Sequence, residues 1–267
     1  MAGGTAFYFS YAVCSLDVEY LLMTALAEDD MQYVDRLRGK GIEIKVQPST
    51  HTVFFENIYG DNPDIRTQNV LAKADPFAVE PMQDIKAEIF HLGPLLADDM
   101  STDFIKAISK KGKVSLDAQG YLRKVENQKV LAIDWPDKTE ALQYVDILKV
   151  DEAEMTVLTG YKEVSEGVKL LTGWGVKEVV VTNGSMGSTI YSDGTFYDIP
   201  AFRPKVIVDA TGCGDTYMGG YLYQRVKGSG IQESGEFAAA IASLKMESPG
   251  PFRGTEQDVI HRLSKPF

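Results

Sequence analysis

The sequence contains little of what several protein classes depend on. Its 267 residues include only two cysteines, Cys14 and Cys213, too few for a disulfide scaffold, which favours a reducing, cytoplasmic location. Three widely spaced histidines give no zinc pattern and little material for a His-based triad. No apolar run approaches the roughly 18 residues of a membrane span, so we expect no membrane association.

Positive charge is also scarce. There are 27 Lys and Arg residues against 38 Asp and Glu residues, a net charge of −11. Such a chain repels the phosphates of nucleic acid, so we expect no nucleic-acid partner. The sequence has no G-x-x-x-x-G-K-[ST] loop, so any phosphate site must rest on other turns. The composition, 44% hydrophobic and 24% charged, is that of a globular protein and argues against disorder.

Apolar periodicity predicts alternating helices and strands. Helices are predicted at 5–16, 31–38, 101–111, 139–144, 152–158, 164–171, 216–227, 233–246 and 255–263. Strands are predicted at 18–24, 42–46, 52–59, 65–71, 87–92, 113–116, 145–150, 178–181, 188–191, 195–199 and 205–208. Strands separated by helices predict an α/β fold with a mostly parallel sheet, whose ligands bind at the carboxyl ends of the strands.

One stretch departs from this alternation. Between residues 42 and 71, three predicted strands follow one another without helices, with turn residues at 60–63. Consecutive strands of this kind predict an antiparallel piece. We interpret 42–71 as a small β-lid insert, and residues 1–41 and 72–267 as one α/β domain.

The strongest local signal is KVIVDATGCGDTY, from Lys205 to Tyr217. An apolar strand is predicted to end at Asp209, followed by a glycine turn and by a helix that Asp215 opens. Glycines let backbone amides approach a ligand, and a helix N-terminus adds positive potential, which together make an anion hole. A carboxylate there would repel a stored phosphate but suits a base that takes a proton from an attacking hydroxyl. The alternative is an Asp that merely caps a helix.

Asp-Ala-Thr-Gly-Cys-Gly-Asp resembles the C-terminal signature of the ribokinase-like (PfkB) carbohydrate kinases, and the resemblance extends along nearly the whole chain. The other matching stretches are Gly3-Gly4, the lid at 42–71, Asp151-Glu152-Ala153-Glu154, Thr182-Asn183-Gly184-Ser185-Met186-Gly187, and Pro249-Gly250-Pro251. The resemblance implies a ribokinase-like three-layer sandwich with a mostly parallel central sheet and a small β-lid. It also implies a phosphotransferase with an alcohol group as acceptor.

The resemblance assigns the chemistry to the 212–215 turn. Asp215 would be the catalytic base, and the amides of Gly212, Cys213 and Gly214 would stabilise the transferring phosphoryl group. A helix N-terminus lowers the pKa of a thiol, so one interpretation of Cys213 is a reactive thiol. We expect instead that Cys213 is a small packing residue of the turn that does not react.

The resemblance also assigns the donor site. ATP would lie against Thr182, Gly184 and Gly187, together with Thr211 and Gly250. On local sequence alone, the 182–187 loop is equally well explained as a turn at the end of a strand.

Metal binding is implied in the same way. Magnesium would be held largely through water, with Glu154 in its outer shell. Asp151 stands where the family has Asn. Its additional carboxylate either strengthens the attraction of the metal ion or is tolerated near solvent without a role. For Glu154, the alternative to a metal role is an exposed carboxylate on the surface of a helix. Asp209, with Thr211, matches positions that hold a monovalent cation in many members, but the ammonium of Lys245 could replace that ion.

On the acceptor side, the sequence matches fewer of the residues that the family uses. Gly3 and Gly4 match the family's glycine pair, Tyr8 could stack on a sugar ring or be helix core, and Arg123 could meet a phosphate or acceptor group or be a solvated surface residue. In the family a strand with an acceptor-binding Asp precedes the glycine pair. These residues include no counterpart, so we expect an exposed sheet edge.

The resulting hypothesis is an ATP-dependent kinase for a hydroxyl of a small sugar, polyol or cyclitol. One alternative is a nucleoside kinase on the same scaffold, with Phe54 and Phe55 stacking on the base. Another is a catalytically silent nucleotide-binding or dimerisation protein. The lid often pairs between subunits in this family, so we expect a homodimer through the β-lid.

Overall fold

The computed structural model describes residues 2–59 and 66–265, so the predicted turn at 60–63 lies outside the described residues. The helices are α1 (Gly4–Val13), α2 (Met31–Arg38), α3 (Thr102–Ser109), α4 (Lys138–Ala141), α5 (Glu152–Thr159), α6 (Val164–Gly173), α7 (Cys213–Val226), α8 (Ile231–Met246) and α9 (Glu256–Leu263). The strands are β1 (Leu21–Leu26), β2 (Glu43–Pro48), β3 (Phe54–Tyr59), β4 (Arg66–Ala72), β5 (Ile89–Leu92), β6 (Lys113–Asp117), β7 (Arg123–Glu126), β8 (Lys129–Ala132), β9 (Ile147–Asp151), β10 (Glu178–Thr182), β11 (Ser188–Ser192) and β12 (Thr195–Ile199).

A central sheet carries the order β12-β11-β10-β9-β6-β5. Strands β5, β6, β9 and β10 run parallel, and the β11–β12 hairpin continues the sheet in antiparallel fashion. The parallel strands read as continuous apolar runs because both of their faces are covered. The predicted mostly parallel sheet is therefore confirmed.

Helices cover both faces of this sheet. On one face, Ile105 of α3, Met155 of α5 and Leu171 of α6 belong to one buried cluster with the strands. On the other face, Phe9 of α1 and Tyr221 of α7 pack in a second cluster. This is the predicted three-layer sandwich. Within the described ranges, no helix combines the length and the apolar character needed to cross a bilayer.

A separate two-stranded sheet pairs β1 with β2 in parallel. The prediction that residues 42–46 belong to an antiparallel piece is therefore wrong. Helix α2 connects the two strands as a parallel crossover, and Ile44 packs with Leu22 and Val34 in one cluster. Where the structure describes the chain, β1 pairs only with β2 and β5 pairs only with β6, so both are edge strands, as are β2 and β12 at the opposite edges of the two sheets.

The lid is a four-stranded antiparallel sheet with the order β3-β4-β8-β7. The predicted lid strands at 52–59 and 65–71 correspond to β3 and β4. The β7–β8 hairpin was not predicted, because its loop residues Asn127 and Gln128 have positive φ angles of 49° and 64° without the glycine that usually marks such a turn. The domain boundary of 42–71 stays a prediction, but the antiparallel sheet consists of β3, β4, β7 and β8 and does not include β2.

Residues 205–208 do not form a strand, which corrects the prediction that an apolar strand leads into Asp209. Val206, Ile207 and Val208 are 53%, 71% and 51% exposed. The amides of Val208 and Asp209 donate to the carbonyl of Met246, at the end of α8, instead of to a neighbouring strand. Apolar composition alone could not distinguish an exposed segment from a buried strand.

Candidate active site

Helix α7 begins with amides that no side chain caps. Gly212 precedes the helix in a left-handed conformation with φ at 75°, and a Cβ added there would lie 2.1 Å from Cγ of Tyr8. The first amides of a helix lack intrahelical partners. The amide of Cys213 makes only a 3.3 Å bond to the carbonyl of Ala210. The amide of Gly214 completes a set of backbone donors at the positive end of the helix.

Asp215 lies in the first turn of this helix and is half-buried. Burial and the negative charge of Asp117 raise the pKa of Asp215 to about 6, although a hydrogen bond with Thr5 and the positive charges of Lys149 and Arg123 oppose the rise. Because no side chain caps α7, the alternative that Asp215 serves only as a cap is not supported. A carboxylate with a pKa near neutrality is suited to accept a proton.

Lys149 is the functional candidate that the sequence reasoning missed. It lies on β9, is 5% exposed, and its Nζ lies 3.1 Å from Oδ2 of Asp117 and 3.7 Å from Oε2 of Glu154. A Cβ added to Gly214 would lie 3.4 Å from the same Nζ, so the ammonium lies beside the first turn of α7. Burial lowers the pKa of Lys149, but the two carboxylates outweigh burial and hold it above its ordinary value. The sequence feature that could have identified Lys149 is the position of a lysine inside the otherwise mostly apolar strand ILKVD.

Asp151 and Glu154 form a reciprocal capping box at the start of α5. The Asp151 carboxylate accepts the Glu154 amide at 2.7 Å, and the Glu154 carboxylate accepts the Asp151 amide at 2.7 Å. Oε1 of Glu154 also accepts from the amide of the Gln119 side chain at 3.2 Å. Glu154 is buried, which corrects the alternative of an exposed helix carboxylate, and burial raises its pKa. Asp151 thus has a structural role that Asn could also fill.

The predicted metal residues do not converge into a direct metal site. Within 2–59 and 66–265, no three His, Cys, Asp or Glu side chains are grouped to hold an ion. Glu154 is engaged by Asp151, Gln119 and Lys149, but carboxylate oxygens retain further lone pairs. These residues fit magnesium held through water and donor phosphates, and they do not fit an all-protein cage.

Asp209 organises the segment just before the helix. Its carboxylate accepts the amides of Thr211 at 2.8 Å and Gly250 at 3.0 Å. The fully buried ammonium of Lys245 donates to the Asp209 carbonyl at 2.7 Å and lies 3.3 Å from its carboxylate. Although burial opposes the shift, these hydrogen bonds and this charge lower the pKa of Asp209 to about 2. The amide of Gly250 is therefore occupied by Asp209.

Cys213 carries a protonated thiol. Burial raises the pKa of Cys213 to about 11, and the positive charge of Lys245 only partly opposes this. Thiol nucleophilicity requires the thiolate. The structure thus favours the expected inert packing of this side chain.

The 182–187 loop is a tight connection between β10 and β11. Thr182 pairs in register with Asp151, so the two motifs lie side by side at the carboxyl edge of the sheet. The amide of Asn183 donates to the carbonyl of Gly187 at 2.8 Å, and a Cβ on Gly187 would lie 2.2 Å from the carbonyl of Ile199. Gly187 therefore has a packing role, whereas Gly184, with φ at 50°, faces open space.

The glycine pair lies on the Asp215 side of the site. Gly4 has φ at 74° and starts α1, which places Thr5 within hydrogen-bond distance of Asp215. Thr5 was not singled out from the sequence, although a hydroxyl directly after the pair was a visible signal.

Tyr8 belongs to the core instead of to the substrate site, which corrects its assignment as a substrate-binding residue. It is 3% exposed, and its ring packs against Gly212 with the Lys245 ammonium 5.5 Å from the ring centroid. A buried ring offers no face for a sugar. Arg123, by contrast, lies near enough to Asp215 for its charge to act on that carboxylate.

Comparison with known proteins shows which proteins this chain resembles. The chain is 26% identical to the cytidine kinase of Thermococcus kodakarensis over 68% of this chain and 64% of that protein. It is 30% identical to the ribokinase of Arabidopsis thaliana over 86% of this chain and 59% of that protein. A solved structure of a pyrophosphate-dependent kinase in the ribokinase family, complexed with a pyrophosphate analog and myo-inositol, is 31% identical with a TM-score of 0.86, covering 97% of this chain and 91% of that chain.

The two curated relatives are longer than the part that this chain matches, since it spans 64% and 59% of their lengths. The sequence model of the pfkB family carbohydrate kinases matches residues 32–258, which is most of the chain. That match includes β9, α5, the 182–187 loop and the whole of α7. This chain belongs to the pfkB family of carbohydrate kinases.

Proposed function

We propose that this protein transfers a terminal phosphoryl group to a hydroxyl of a small sugar, polyol or cyclitol. One observation carries the proposal: the half-buried carboxylate of Asp215, with its pKa raised to about 6, lies at the uncapped N-terminus of α7. This arrangement combines a base and anion-binding amides within one helical turn. A phosphoryl transfer to a hydroxyl needs both.

In this proposal each group has a defined task. Asp215 takes the proton of the acceptor hydroxyl as that oxygen attacks phosphorus, and the bond from phosphorus to the leaving oxygen breaks. The amides of Gly212, Cys213 and Gly214 stabilise the charge of the phosphoryl group in transit. When bound, Mg²⁺ would neutralise charge on the donor phosphates, and Glu154 would contact its water shell. Lys149 forms ion pairs with both Glu154 and Asp117 while Asp215 accepts the proton.

ATP is the donor we propose. Val206, Ile207 and Val208 form an exposed apolar segment directly before the turn, which a nucleobase can cover and pyrophosphate cannot. Thr182, Gly184 and Gly187 would flank the nucleotide, with Thr211 on the other side. Pyrophosphate is the second candidate donor, because the 31% identical structure is of a pyrophosphate-dependent kinase.

The acceptor side supports two substrate classes. A cyclitol or sugar is favoured by the same solved structure, which contains myo-inositol. Gly3, Gly4 and Arg123 would line that side. A nucleoside is the alternative, favoured by the similarity to cytidine kinase and by Phe54 on the lid, whose side chain is 50% exposed and available for stacking.

Three further proposals accompany the activity. Exposed apolar side chains on three lid strands, Phe54, Leu71 and Leu131, support a homodimer through the β-lid. The ammonium of Lys245 would serve as a fixed cation against Asp209, so we expect no dependence on potassium. The sparse cysteine content supports a cytoplasmic location.

The decisive experiment is turnover of Asp215→Asn. The variant should bind ATP as the parent does and lose about 10²–10⁴-fold in kcat, the usual contribution of a general base. Parent and variant should be assayed with ATP and with pyrophosphate across sugars, inositols and nucleosides. Asp103→Asn is a matched control, because Asp103 is an exposed acid in the first turn of α3. Equal turnover in parent and Asp215→Asn contradicts the base assignment, and donor binding without turnover in the parent favours a silent binding protein.

A further inference from the structure

The segment that leads into the glycine turn lies outside the sheet. Residues 203–208 run directly into Asp209, but they form neither a helix nor a strand. Val206, Ile207 and Val208 are each more than half exposed. A segment without a strand partner loses conformational entropy when it takes one fixed shape, and its apolar side chains gain nothing from exposure. Contacts from other parts of the molecule must therefore hold this segment in place.

The downstream end of the segment is held by the end of α8. The amides of Val208 and Asp209 donate to the carbonyl of Met246 at 2.8 and 3.3 Å. The ammonium of Lys245 donates to the carbonyl of Asp209 at 2.7 Å. Because every residue has a backbone carbonyl, the two bonds to Met246 do not depend on the side chain at that position.

The upstream end, by contrast, is held by two side chains. Oε1 of Glu247, directly after α8, accepts the amide of Lys205 at 2.7 Å and Nη2 of Arg262 at 2.6 Å. Nη1 of Arg262, on α9, donates to the carbonyl of Arg203 at 3.2 Å and to the hydroxyl of Ser243 at 2.6 Å. Glu247 and Arg262 together therefore bond the segment at residues 203 and 205, and we call this pair the Glu247–Arg262 clamp.

The clamp is a charged pair that is largely shielded from water. The side chain of Arg262 is 10% exposed and that of Glu247 is 19% exposed. Although burial opposes the shift, the Lys205 amide and the Arg262 guanidinium lower the pKa of Glu247, so its carboxylate is ionised at neutral pH. Hydrogen bonds of charged groups are roughly twice as strong as those of neutral groups. The clamp is therefore a stronger anchor than an exposed ion pair would be.

Both halves of the clamp are attached to well-packed helices. Ile241 of α8 and Val259 of α9 belong to one buried cluster with Phe252. A capping box between Thr255 and Asp258 closes the start of α9. Because these helices cannot shift without disturbing the core, the clamp holds the segment against a rigid support.

The contacts of the clamp separate it from the phosphate-binding amides. It bonds residues 203 and 205, whereas the amides assigned to the phosphoryl group belong to residues 212–214. Between the clamp and the bonds to Met246 lies the exposed apolar stretch 206–208. In the proposed function, this stretch lies against the nucleobase of ATP. Loss of the clamp should therefore affect the nucleoside part of the donor and not its phosphates.

We propose that Glu247 and Arg262 are positioning residues that determine donor specificity, because they hold residues 206–208 against the nucleoside of ATP. This inference rests on the proposed function, in which ATP is the donor. Tripolyphosphate has the phosphate chain of ATP without the nucleoside, so a difference in affinity between the two ligands measures what the nucleoside contributes. The clamp accounts for part of that difference.

Glu247→Ala in the full chain tests the clamp. Calorimetric titration in the presence of Mg²⁺ should show that the variant binds ATP about tenfold more weakly, the loss expected when the competent arrangement of residues 206–208 is populated about a tenth of the time. Binding of tripolyphosphate should not change. In turnover assays, the KM for ATP should rise while kcat changes far less. Arg262→Met removes the other half of the clamp and should weaken ATP binding equally, and the double variant should be no weaker than either single variant.

Glu233→Ala is the matched control, because its carboxylate accepts the amide of Gly230 at 2.8 Å at the opposite end of α8. This variant should bind ATP as the parent does. Hydrogen exchange followed by mass spectrometry should show that the amides of Lys205 and Val208 lose protection in Glu247→Ala. Unchanged exchange at these amides overturns the clamp, and faster exchange with unchanged ATP affinity overturns its link to the donor.

The two ligands also separate this inference from the proposed function. A parent that binds ATP no more tightly than tripolyphosphate overturns the inference, as does an equal loss of affinity for both ligands in Glu247→Ala. If the parent transfers no phosphoryl group to any acceptor but the ATP and tripolyphosphate affinities change as expected, the inference is supported and only the proposed function is contradicted.

Discussion

Two helices begin at the carboxyl edge of the same sheet with acidic residues in their first turns, and they are built in opposite ways. At α5, Asp151 and Glu154 satisfy each other's amides in a capping box. At α7, Gly212 replaces the capping side chain, no side chain caps the helix, and Asp215 turns to Thr5 instead of to its own backbone. The capped terminus follows the rules of helix stability. The uncapped start of α7 leaves backbone amides without side-chain partners and a carboxylate whose pKa is raised. Unsatisfied donors and perturbed carboxylates of this kind are typical of functional sites.

The largest expected effect comes from removing the lysine between these two helix starts. Lys149→Met leaves the carboxylates of Asp117 and Glu154 buried without their cation, so we expect a loss of about 3–5 kcal/mol in the free energy of unfolding. Urea denaturation measures it. Lys177→Met is the matched control, because Lys177 is 75% exposed in its ion pair with Asp146 and should lose less than about 1 kcal/mol. Similar losses in the two variants would show that Lys149 is not the cation that holds the two helix starts.

The second prediction concerns the pH dependence of turnover. Asp215 must be ionised to accept a proton, and its pKa is raised to about 6. Activity should therefore fall as the pH drops through 6, by about tenfold for each further unit. Because the charge of Arg123 lowers this pKa, Arg123→Gln should move the acid limb to higher pH. An acid limb near 4 in both proteins would show that Asp215 is not perturbed by its surroundings.

Much of this contrast was accessible from the sequence, and the reasons for the remainder are physical. The glycine turn and Asp215 form one contiguous motif, so their position at the start of a helix could be predicted. Lys149 and Thr5 join the site only through tertiary contact, from strands and helices far apart in the chain. The apolar run at 205–208 resembled a strand because composition does not reveal exposure. The strand at 42–46 was assigned to the lid because its partner β1 is chosen by packing, which periodicity does not encode.

A third prediction uses stability to test the same carboxylate. The folded-state pKa of Asp215, about 6, exceeds its ordinary value of 3.8, so ionisation of Asp215 destabilises the fold above pH 6. Asp215→Asn should thus be more stable than the parent at pH 8, by on the order of 1–3 kcal/mol. The gain should shrink as the pH falls from 6 to 4, where the parent carboxyl becomes protonated. Thermal unfolding at both pH values measures it, and an equal effect at pH 4 and pH 8 would contradict the assigned pKa.

The smallest expected effect distinguishes the role of Glu154 from that of Asp151 in the capping box. Glu154→Ala should raise the magnesium concentration needed for half-maximal activity, since its carboxylate would contact the water shell of the ion. Asp151→Ala breaks the same box from the other side and should cost about 1 kcal/mol of stability while leaving the magnesium titration unchanged. A shift in both variants would mean that the box acts by placing α5, and a shift in neither would remove Glu154 from the metal site. Only a shift confined to Glu154→Ala shows that the capped start of α5 contributes to metal binding as well as to helix stability.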